Sequence, residues 1–359
     1  MEYGHGGDVY TEGIFRGKNL IDFSSNINSL GVPASFREHI GEAIESVARY
    51  PDIKYRELTN NIIRYLNKDF SIENDYLVLG NGASEIIDLA LSCFKSILIP
   101  VPSFCEYKYS ALKWNCRVEY SLLNEAMQFD YEDILNKLKD VEAIMIGNPN
   151  NPAGNIIQKE KFREILDYCE ENGKTIIIDE AFIEFTGEGS LSFLQELPHY
   201  KSIFVIRAIT KFFALPGIRF GFGVSGNIEL IQKIKGKQNP WNINCFVETA
   251  VKYIFKDEEY IKKSLIWVKE QREFLCKKLN KISFIYEVYE TNSNYILCKL
   301  VGINCIRLYD LCIKRGILIR RAGNFVGLDD RFIRLAIKDK ESNKCLINCL
   351  KEIEKNYKD

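Results

Sequence analysis

The stretch that decides the fold is Ser202-Ile203-Phe204-Val205-Ile206, followed by Arg207-Ala208-Ile209-Thr210-Lys211-Phe212-Phe213-Ala214-Leu215-Pro216-Gly217-Ile218-Arg219. Its first five residues are mainly apolar and rich in β-branched side chains, which predicts a strand buried on both faces of a sheet. Lys211 follows this strand and has aromatic and aliphatic neighbours in the sequence. Apolar surroundings lower the pKa of an amine from about 10.4, and imine chemistry at neutral pH requires such a lowered pKa.

Similar apolar runs recur between residues 75 and 225, and longer amphipathic segments separate them. In the segment from Glu160 to Asn172, for example, apolar side chains stand at helical spacing. Strands that alternate with helices predict an α/β fold with a mainly parallel sheet. The other predicted strands of this region are Tyr76–Leu79, Ser96–Val101, Ala143–Ile146, Thr175–Ile178 and Phe220–Val224.

From about residue 250 the pattern changes to that of a smaller α+β domain. We predict one long charged helix from Phe246 to Leu279 and further helices at Ile306–Arg315 and Lys340–Tyr357. Separate strands are predicted within Tyr286–Leu300, Gly316–Arg320 and Phe332–Ile337. The chain thus divides into an N-terminal arm (residues 1–30), a large domain (31–250) and a small C-terminal domain (251–359).

Composition excludes several classes of protein. The 359 residues carry a formal net charge of −1, so no basic field would attract nucleic acid. The opening residues form no apolar run, and no stretch approaches the roughly 18 apolar residues of a membrane helix, so we expect a cytoplasmic protein. The eleven cysteines are scattered, and Cys345 and Cys349 have no histidine near them. We therefore expect reduced thiols and no metal site.

Three further motifs come at the predicted strand ends, where open α/β sheets bind ligands. The turn Gly80-Asn81-Gly82-Ala83-Ser84-Glu85 opens a helix, whose N-terminus favours an anion. The loop Asn148-Pro149-Asn150-Asn151-Pro152-Ala153-Gly154 is stiff enough to hold a side-chain amide towards a ligand. In Asp179-Glu180-Ala181-Phe182, a carboxylate at the end of a buried strand calls for a cationic partner. Each motif, read alone, is also compatible with an ordinary turn or cap.

The ordered set of Asn151, Asp179, Lys211 and Arg219 resembles the signature of the fold-type-I pyridoxal-phosphate enzymes, the aspartate aminotransferase superfamily. The resemblance spans essentially the whole chain. It implies that the large domain binds pyridoxal 5′-phosphate as a Schiff base on Lys211, the catalytic residue. It also implies that Asp179 pairs with the pyridine nitrogen and that Asn151 bonds the phenolic oxygen of the cofactor.

The same resemblance assigns the remaining contacts to the cofactor. It implies that Ala181 lies against one face of the ring, that the adjacent Phe182 also binds the cofactor, and that Phe104 stacks on the other face. It implies a homodimer in which Tyr50 reaches the cofactor phosphate across the interface. The residues implied to hold that phosphate within one chain are Gly82, Ala83, Ser84, Thr210 and Arg219.

Residues far from Lys211 indicate a branch of the superfamily. The arm motif His5-Gly6-Gly7-Asp8 and the segment around Asn26 are similar to those of L-threonine-O-3-phosphate decarboxylases, which make (R)-1-amino-2-propanol phosphate for cobalamin biosynthesis. Two arginines and a histidine can grip two anions, a phosphate and a carboxylate. The substrate contacts implied by this resemblance are His5, Gly6, Asn26, Asn151, Arg320 and Arg334.

Several alternatives stay open on the sequence. A decarboxylase of phosphonoalanine or phosphoserine, including one that forms part of a longer phosphonate or cobalamin polypeptide, would need the same pair of anion sites. An aminotransferase acting on histidinol phosphate shares the cofactor motifs but not the arm motif. A non-catalytic regulator of this fold carries a DNA-binding domain, for which we see neither a spare segment nor a basic surface.

Two residues depart from the decarboxylase pattern. Ala208 stands where relatives carry a serine or threonine that bonds the cofactor phosphate, so Thr210 is the expected substitute. Arg321 adds a second arginine beside Arg320, where a small neutral residue is expected. Both departures bear on the anion pockets and leave the identity of the substrate open.

Overall fold

The computed structural model describes residues 5–67 and 72–357. Residues 1–4 of the predicted arm and residues 358–359 of the predicted small domain lie outside the described residues. A seven-stranded sheet has the order β2-β8-β7-β6-β5-β3-β4, in which β8 runs antiparallel to both its neighbours and the other pairs are parallel. Its strands are β2 (Leu77–Gly80), β3 (Ser96–Val101), β4 (Arg117–Leu122), β5 (Ala143–Gly147), β6 (Thr175–Asp179), β7 (Ile203–Ala208) and β8 (Gly221–Ser225).

The apolar runs are explained by burial on both faces of this sheet. Ile144 and Ile146 of β5 belong to one hydrophobic cluster, whereas Ala143 and Met145 belong to the cluster on the other face. Strands covered by helices on both faces need no polar alternation. β4 escaped prediction because it is an edge strand that carries polar residues such as Arg117.

A separate antiparallel sheet, in the order β12-β13-β10-β9, forms the C-terminal part of the fold. Its strands are β9 (Ile285–Val288), β10 (Tyr295–Leu300), β12 (Arg320–Arg321) and β13 (Phe332–Ala336). The short strands β1 (Ile21–Asp22) and β11 (Ile317–Leu318) pair in parallel and join the N-terminal segment to this region. These sheets confirm the expected α/β fold with a mainly parallel sheet and a smaller α+β part. The boundaries at residues 30 and 250 stay predictions.

The helices enclose the sheets and correct one prediction. The single helix from Phe246 to Leu279 is wrong, because the chain forms two helices whose break falls at Phe255–Asp257. The side chain of Asp257 accepts the backbone N–H of Tyr260 and so caps the second helix. The helices are α1 (Val9–Glu12), α2 (Ala34–Arg37), α3 (Ile40–Ser46), α4 (Arg56–Leu66), α5 (Ala83–Leu91), α6 (Cys105–Lys113), α7 (Tyr131–Leu138), α8 (Lys159–Glu171), α9 (Ile228–Lys235), α10 (Cys245–Ile254), α11 (Glu258–Leu279), α12 (Cys305–Ile313) and α13 (Lys340–Tyr357).

Among these described helices, none combines the length and the apolar character that crossing a bilayer requires.

Candidate active site

A cavity of about 500 Å³ lies where β5, β6 and β7 end, between the N-terminal arm and the antiparallel sheet. This is the edge at which open α/β sheets bind ligands. Most residues that the sequence singled out line the cavity. They are His5, Gly6, Asn26, Ala83, Ser84, Phe104, Asn151, Asp179, Ala181, Phe182, Thr210, Lys211, Arg219, Arg320 and Arg334.

Asp179 is the last residue of β6, and its carboxylate is buried at the floor of the cavity. Oδ2 accepts the hydroxyl of Tyr107 at 2.7 Å, and Oδ1 accepts the backbone N–H of Ala181 at 3.0 Å. Burial raises the pKa of the Asp179 carboxyl, whereas these hydrogen bonds oppose the rise. None of the ion pairs among the described residues includes Asp179.

Lys211 lies three residues beyond the end of β7 and lines the same cavity. Burial, together with the positive charges of Arg334 and Arg219, lowers the pKa of its amine from 10.5 to about 8. Asp179 acts in the opposite direction. A substantial fraction of the amine is therefore neutral near pH 8, as a nucleophile that attacks an aldehyde must be.

The turn between β2 and α5 forms an anion cup. Gly82 has a φ of +82°, and a Cβ added there would lie 2.5 Å from Nη2 of Arg219, so both the backbone angle and the close approach favour glycine. Nη2 of Arg219 donates to Oγ of Ser84 at 3.0 Å. The N-terminus of α5, a hydroxyl and a guanidinium thus converge where a phosphate would gain from all three.

Asn151 links the cofactor motifs to the second buried arginine. Its Oδ1 accepts Nη1 of Arg334 at 2.6 Å, which leaves the amide N–H groups of Asn151 to donate elsewhere. Nη2 of Arg334 donates to the backbone oxygen of Ser24 at 2.7 Å, whereas its Nε is buried without a hydrogen-bond partner. Burial, followed by the charge of Arg320, lowers the pKa of Arg334 to about 10.

Arg320 and Arg334 are directly paired across β12 and β13. Both side chains are buried and line the cavity. Arg320 donates to Oδ1 of Asn324 at 2.8 Å and to the backbone oxygen of Arg321, and burial lowers its pKa to about 10. Like charges on paired strand positions repel each other, so an anion between them would stabilise this arrangement.

The N-terminal arm closes one side of the cavity. Nε2 of His5 lies 2.8 Å from Oε1 of Glu106, and Nδ1 lies 3.8 Å from Sγ of Cys105. These contacts raise the pKa of His5 to about 9, Cys105 contributing most. A Cβ on Gly6 would lie 2.1 Å from the backbone oxygen of Ser24, so only glycine allows the arm to pack this closely.

Asn26 occupies a buried position beside the arm. Its backbone oxygen accepts the side-chain N–H of Asn294 at 3.1 Å, but its own Oδ1 is buried without a hydrogen-bond partner. A buried acceptor without a donor is costly, and a ligand group in the cavity is one way to satisfy it.

Two predicted cofactor residues do not line the cavity of the single chain. Gly82 lies directly behind it, against Arg219. Tyr50 is 77% exposed, and its ring packs on Trp241 with centroids 4.8 Å apart. Ala208 and Arg321, the two residues that depart from the decarboxylase pattern, lie in different environments. Ala208 lines the cavity together with Thr210, whereas Arg321 is exposed and lies over the ring of Tyr309.

Sequence reasoning missed Tyr107, Cys105 and Glu106, which form the first turn of α6 and line the cavity. Their position in the sequence could have indicated this role. The predicted ring contact Phe104 directly precedes α6, so the first turn of that helix lies beside the same ligand. The buried ion pair of Glu180 with Arg207, at 2.8 Å, was also missed. It joins β6 to β7 just below the cavity and has a structural role.

The residues present fit pyridoxal phosphate. Asp179 is a buried carboxylate that forms no ion pair with another described residue, and a protonated ring nitrogen would supply a cation for it. At the other end of the cavity, the anion cup fits a phosphate. Lys211 lies between them with an amine of lowered pKa. The donor set thus matches the three functional parts of the cofactor, its ring nitrogen, its aldehyde and its phosphate.

Comparisons with known proteins agree with this site. The family model for aminotransferase class I and II matches residues 18–350. A protein of Caldanaerobacter subterraneus with the provisional name threonine-phosphate decarboxylase is 40% identical, over 97% of this chain and 93% of its own. The threonine-phosphate decarboxylase of Salmonella typhimurium is 29% identical, over 97% of this chain and 96% of its own.

A solved structure of a relative bears the name of a different activity. The crystal structure of the histidinol-phosphate aminotransferase from Clostridium acetobutylicum has 52% sequence identity and a TM-score of 0.91, and the match covers 94% of this chain and all of that one. Relatives named for each of the two activities therefore match this chain over nearly its whole length. The chain belongs to the aminotransferase class I and II family, and it is a pyridoxal-phosphate enzyme.

Proposed function

We propose that this protein decarboxylates a phosphorylated amino acid, L-threonine O-3-phosphate, to (R)-1-amino-2-propanol phosphate. The observation that carries the proposal is the pairing of Arg320 with Arg334 at the cavity, with His5 on the arm beside them. Three cationic groups suit a substrate with two anions, a phosphate and a carboxylate. Histidinol phosphate has a phosphate but no carboxylate, so it would leave one of these groups without an anion.

Bound pyridoxal phosphate supplies a ring that accepts the electrons released when a bond to the substrate Cα breaks. The protein would select which bond breaks, since its residues would fix the orientation of the substrate on that ring. In our proposal, His5 and Arg320 hold the substrate phosphate, and Arg334 orients the carboxylate from its position beside Asn151. These contacts would fix the orientation of the carboxylate, and loss of CO2 would depend on that orientation.

Asp179 and Lys211 have the complementary tasks. We assign Asp179 to the ring nitrogen, where its negative charge keeps that nitrogen protonated. Lys211 holds the cofactor before substrate arrives and is the nearest candidate to deliver a proton to Cα after CO2 leaves. Its lowered pKa of about 8 suits an amine that must both lose and regain a proton near neutral pH.

The proposal includes a symmetric homodimer. Tyr50 is exposed, and so are four apolar side chains close to it in the sequence, Ile40, Ile44, Val47 and Ile53. Covering such side chains with a second copy is favourable, and two-fold symmetry would bring the partner subunit's Tyr50 towards the anion cup. Light scattering should give twice the mass of one chain, and a monomer that retains full activity would contradict this part of the proposal.

Product analysis with four compounds tests the proposed function. The holoenzyme is incubated in parallel with L-threonine O-3-phosphate, phosphoserine, phosphonoalanine and histidinol phosphate, the last with a keto-acid acceptor. We expect CO2 and the amino-alcohol phosphate from the first compound, without pyridoxamine phosphate. Faster turnover of phosphoserine or phosphonoalanine would show that this compound, and not L-threonine O-3-phosphate, is the substrate. Amino transfer from histidinol phosphate at a higher kcat/KM would replace the proposal by the second candidate, which the 52% identical structure favours.

A further inference from the structure

We propose that His5, Cys105 and Glu106 form a binding site for Zn²⁺ at the mouth of the cavity. A ring nitrogen of His5, the sulfur of Cys105 and a carboxylate oxygen of Glu106 lie within 4.8 Å of one another. Such a metal site departs from the expectation drawn from the sequence, since the histidine is a hundred residues away from the other two ligands along the chain.

The chemistry of the three ligands selects the metal. Imidazole nitrogen, thiolate sulfur and carboxylate oxygen are the usual ligands of Zn²⁺, whereas Mg²⁺ and Ca²⁺ prefer sites built from oxygen alone. Three protein ligands leave the fourth tetrahedral position open. All three residues line the cavity, so the proposed ion would lie beside the space assigned to the substrate.

The geometry needs a modest rearrangement, in which the 2.8 Å contact between His5 and Glu106 lengthens and the widest separation of the three ligand atoms, at most 4.8 Å, shortens. Ligands bound at about 2.0–2.3 Å in a tetrahedron lie roughly 3.3–3.8 Å from one another. His5 and Glu106 are already 2.8 Å apart, and Sγ of Cys105 is 3.8 Å from the other ring nitrogen. The His5 side chain is 37% exposed, so its ring can rotate to present one nitrogen to the metal.

The main chain holds the arm where the metal would bind. The N–H of Gly7 donates to Oγ of Ser24 at 2.7 Å, and Gly6 packs on the backbone of the same serine. On the other side, Cys105 and Glu106 are adjacent at the start of α6, a helix of nine residues. Zn²⁺ would take the place of the proton between His5 and Glu106 and fix the arm to α6.

This coordination has a functional consequence, which rests on the proposed function. A His5 ring bound to Zn²⁺ cannot at the same time hold the substrate phosphate. Zn²⁺ should therefore inhibit turnover by raising the apparent KM. A chelator that removes the metal should restore the turnover. Metal binding itself is measured without substrate, so its failure and the failure of the proposed function are distinguishable.

The test is titration of the holoenzyme with ZnCl2, followed by calorimetry, and with Co²⁺, followed in the red part of the visible spectrum where pyridoxal does not absorb. We expect one ion per chain and the intense bands of tetrahedral cobalt. Cys105→Ser and Glu106→Gln should each weaken binding at least about tenfold. Cys345→Ser changes an exposed cysteine on α13 and serves as the matched control, with unchanged affinity.

Folding and loading of each variant are checked by circular dichroism and by the absorbance of bound pyridoxal. No saturable binding to the wild type would overturn the proposal. So would equal Zn²⁺ affinity in the wild type and Cys105→Ser, or an equal loss of affinity in Cys345→Ser, because either result would place the ion elsewhere.

Discussion

The two ends of the cavity are built in different ways. At the end that we assign to the cofactor, Asp179, Lys211 and the anion cup all come from strand ends, or from the turns that follow them, at the edge of one sheet. At the end that we assign to the substrate, His5 comes from the N-terminal arm, and Arg320 and Arg334 come from the antiparallel sheet. A rigid sheet thus positions the part common to the family, whereas segments from both ends of the chain supply the part that can distinguish one reaction from another.

The largest effect is expected at the cofactor end. Lys211→Ala removes the amine that holds the cofactor, so turnover should fall by roughly 10⁴-fold or more. The absorbance of lysine-bound pyridoxal should disappear with it. Lys256→Ala, which changes an exposed lysine, is the control and should retain both properties. Normal visible absorbance in Lys211→Ala would show that another amine carries the cofactor.

The second largest effect, a fall in kcat, is expected from substitution of the buried carboxylate of Asp179. Asp179→Asn keeps the shape of the side chain and one acceptor oxygen but removes the charge that we assign to the ring nitrogen. We expect kcat to fall by about 10²–10³-fold, as for other preorganised electrostatic contacts. Because Lys211 is unchanged, the visible absorbance should remain. A kcat within a factor of two of the wild type would remove Asp179 from the proposed mechanism.

At the substrate end, the expected effect is smaller and leaves the cofactor spectrum intact. Arg334→Gln removes a buried charge that we assign to the substrate carboxylate, at a cost of about 3 kcal/mol, or about 10²-fold in kcat/KM for L-threonine O-3-phosphate. Arg321→Gln is the matched control, since Arg321 is exposed, and it should change kcat/KM less than about twofold. Equal effects of the two variants would contradict the distinction between them.

The smallest expected effect concerns the pH dependence of cofactor capture, which Arg334 at the substrate end influences through the pKa of Lys211 at the cofactor end. The pKa of Lys211 is lowered to about 8, so its neutral fraction rises as the pH increases through that value. Capture of pyridoxal phosphate by the apoprotein should therefore accelerate with a midpoint near pH 8 and level off above it. In Arg334→Gln, loss of a repelling positive charge should move the midpoint upward by a few tenths of a unit to about one unit. Stopped-flow absorbance measures both curves, and a shift to lower pH would have the wrong sign.

The sequence predicts the cofactor end better than the substrate end for a physical reason. Lys211, Asp179 and the turn at Gly82 each follow a buried strand, so the periodicity of the chain alone brings them to one edge of the sheet. Nothing local in the sequence indicates that Arg320 and Arg334 are paired across two strands. Their proposed role rested on the family resemblance alone. The register between β12 and β13 then showed that the two residues are paired.

Other features were not predicted for the same reason, namely that nothing local in the sequence indicates them. Tyr107 bonds Asp179 from a helix 72 residues earlier, and a single tyrosine in an amphipathic helix carries no local mark of such a contact. The break before α11 was missed because the residues around Asp257 interrupt neither the charge nor the apolar spacing of the helix pattern. Tyr50 stays a prediction, since its proposed contact requires a second copy of the chain.

The most direct measurement follows the fate of the substrate carboxylate in the holoenzyme. L-threonine O-3-phosphate labelled at the carboxyl carbon is incubated with excess enzyme for one turnover, and gas, amine and keto-acid fractions are counted. The proposed arrangement of Arg320, Arg334 and Lys211 predicts that nearly all label appears as CO2 and that one equivalent of (R)-1-amino-2-propanol phosphate forms. Label retained in a keto acid, together with stoichiometric pyridoxamine phosphate, would contradict the account.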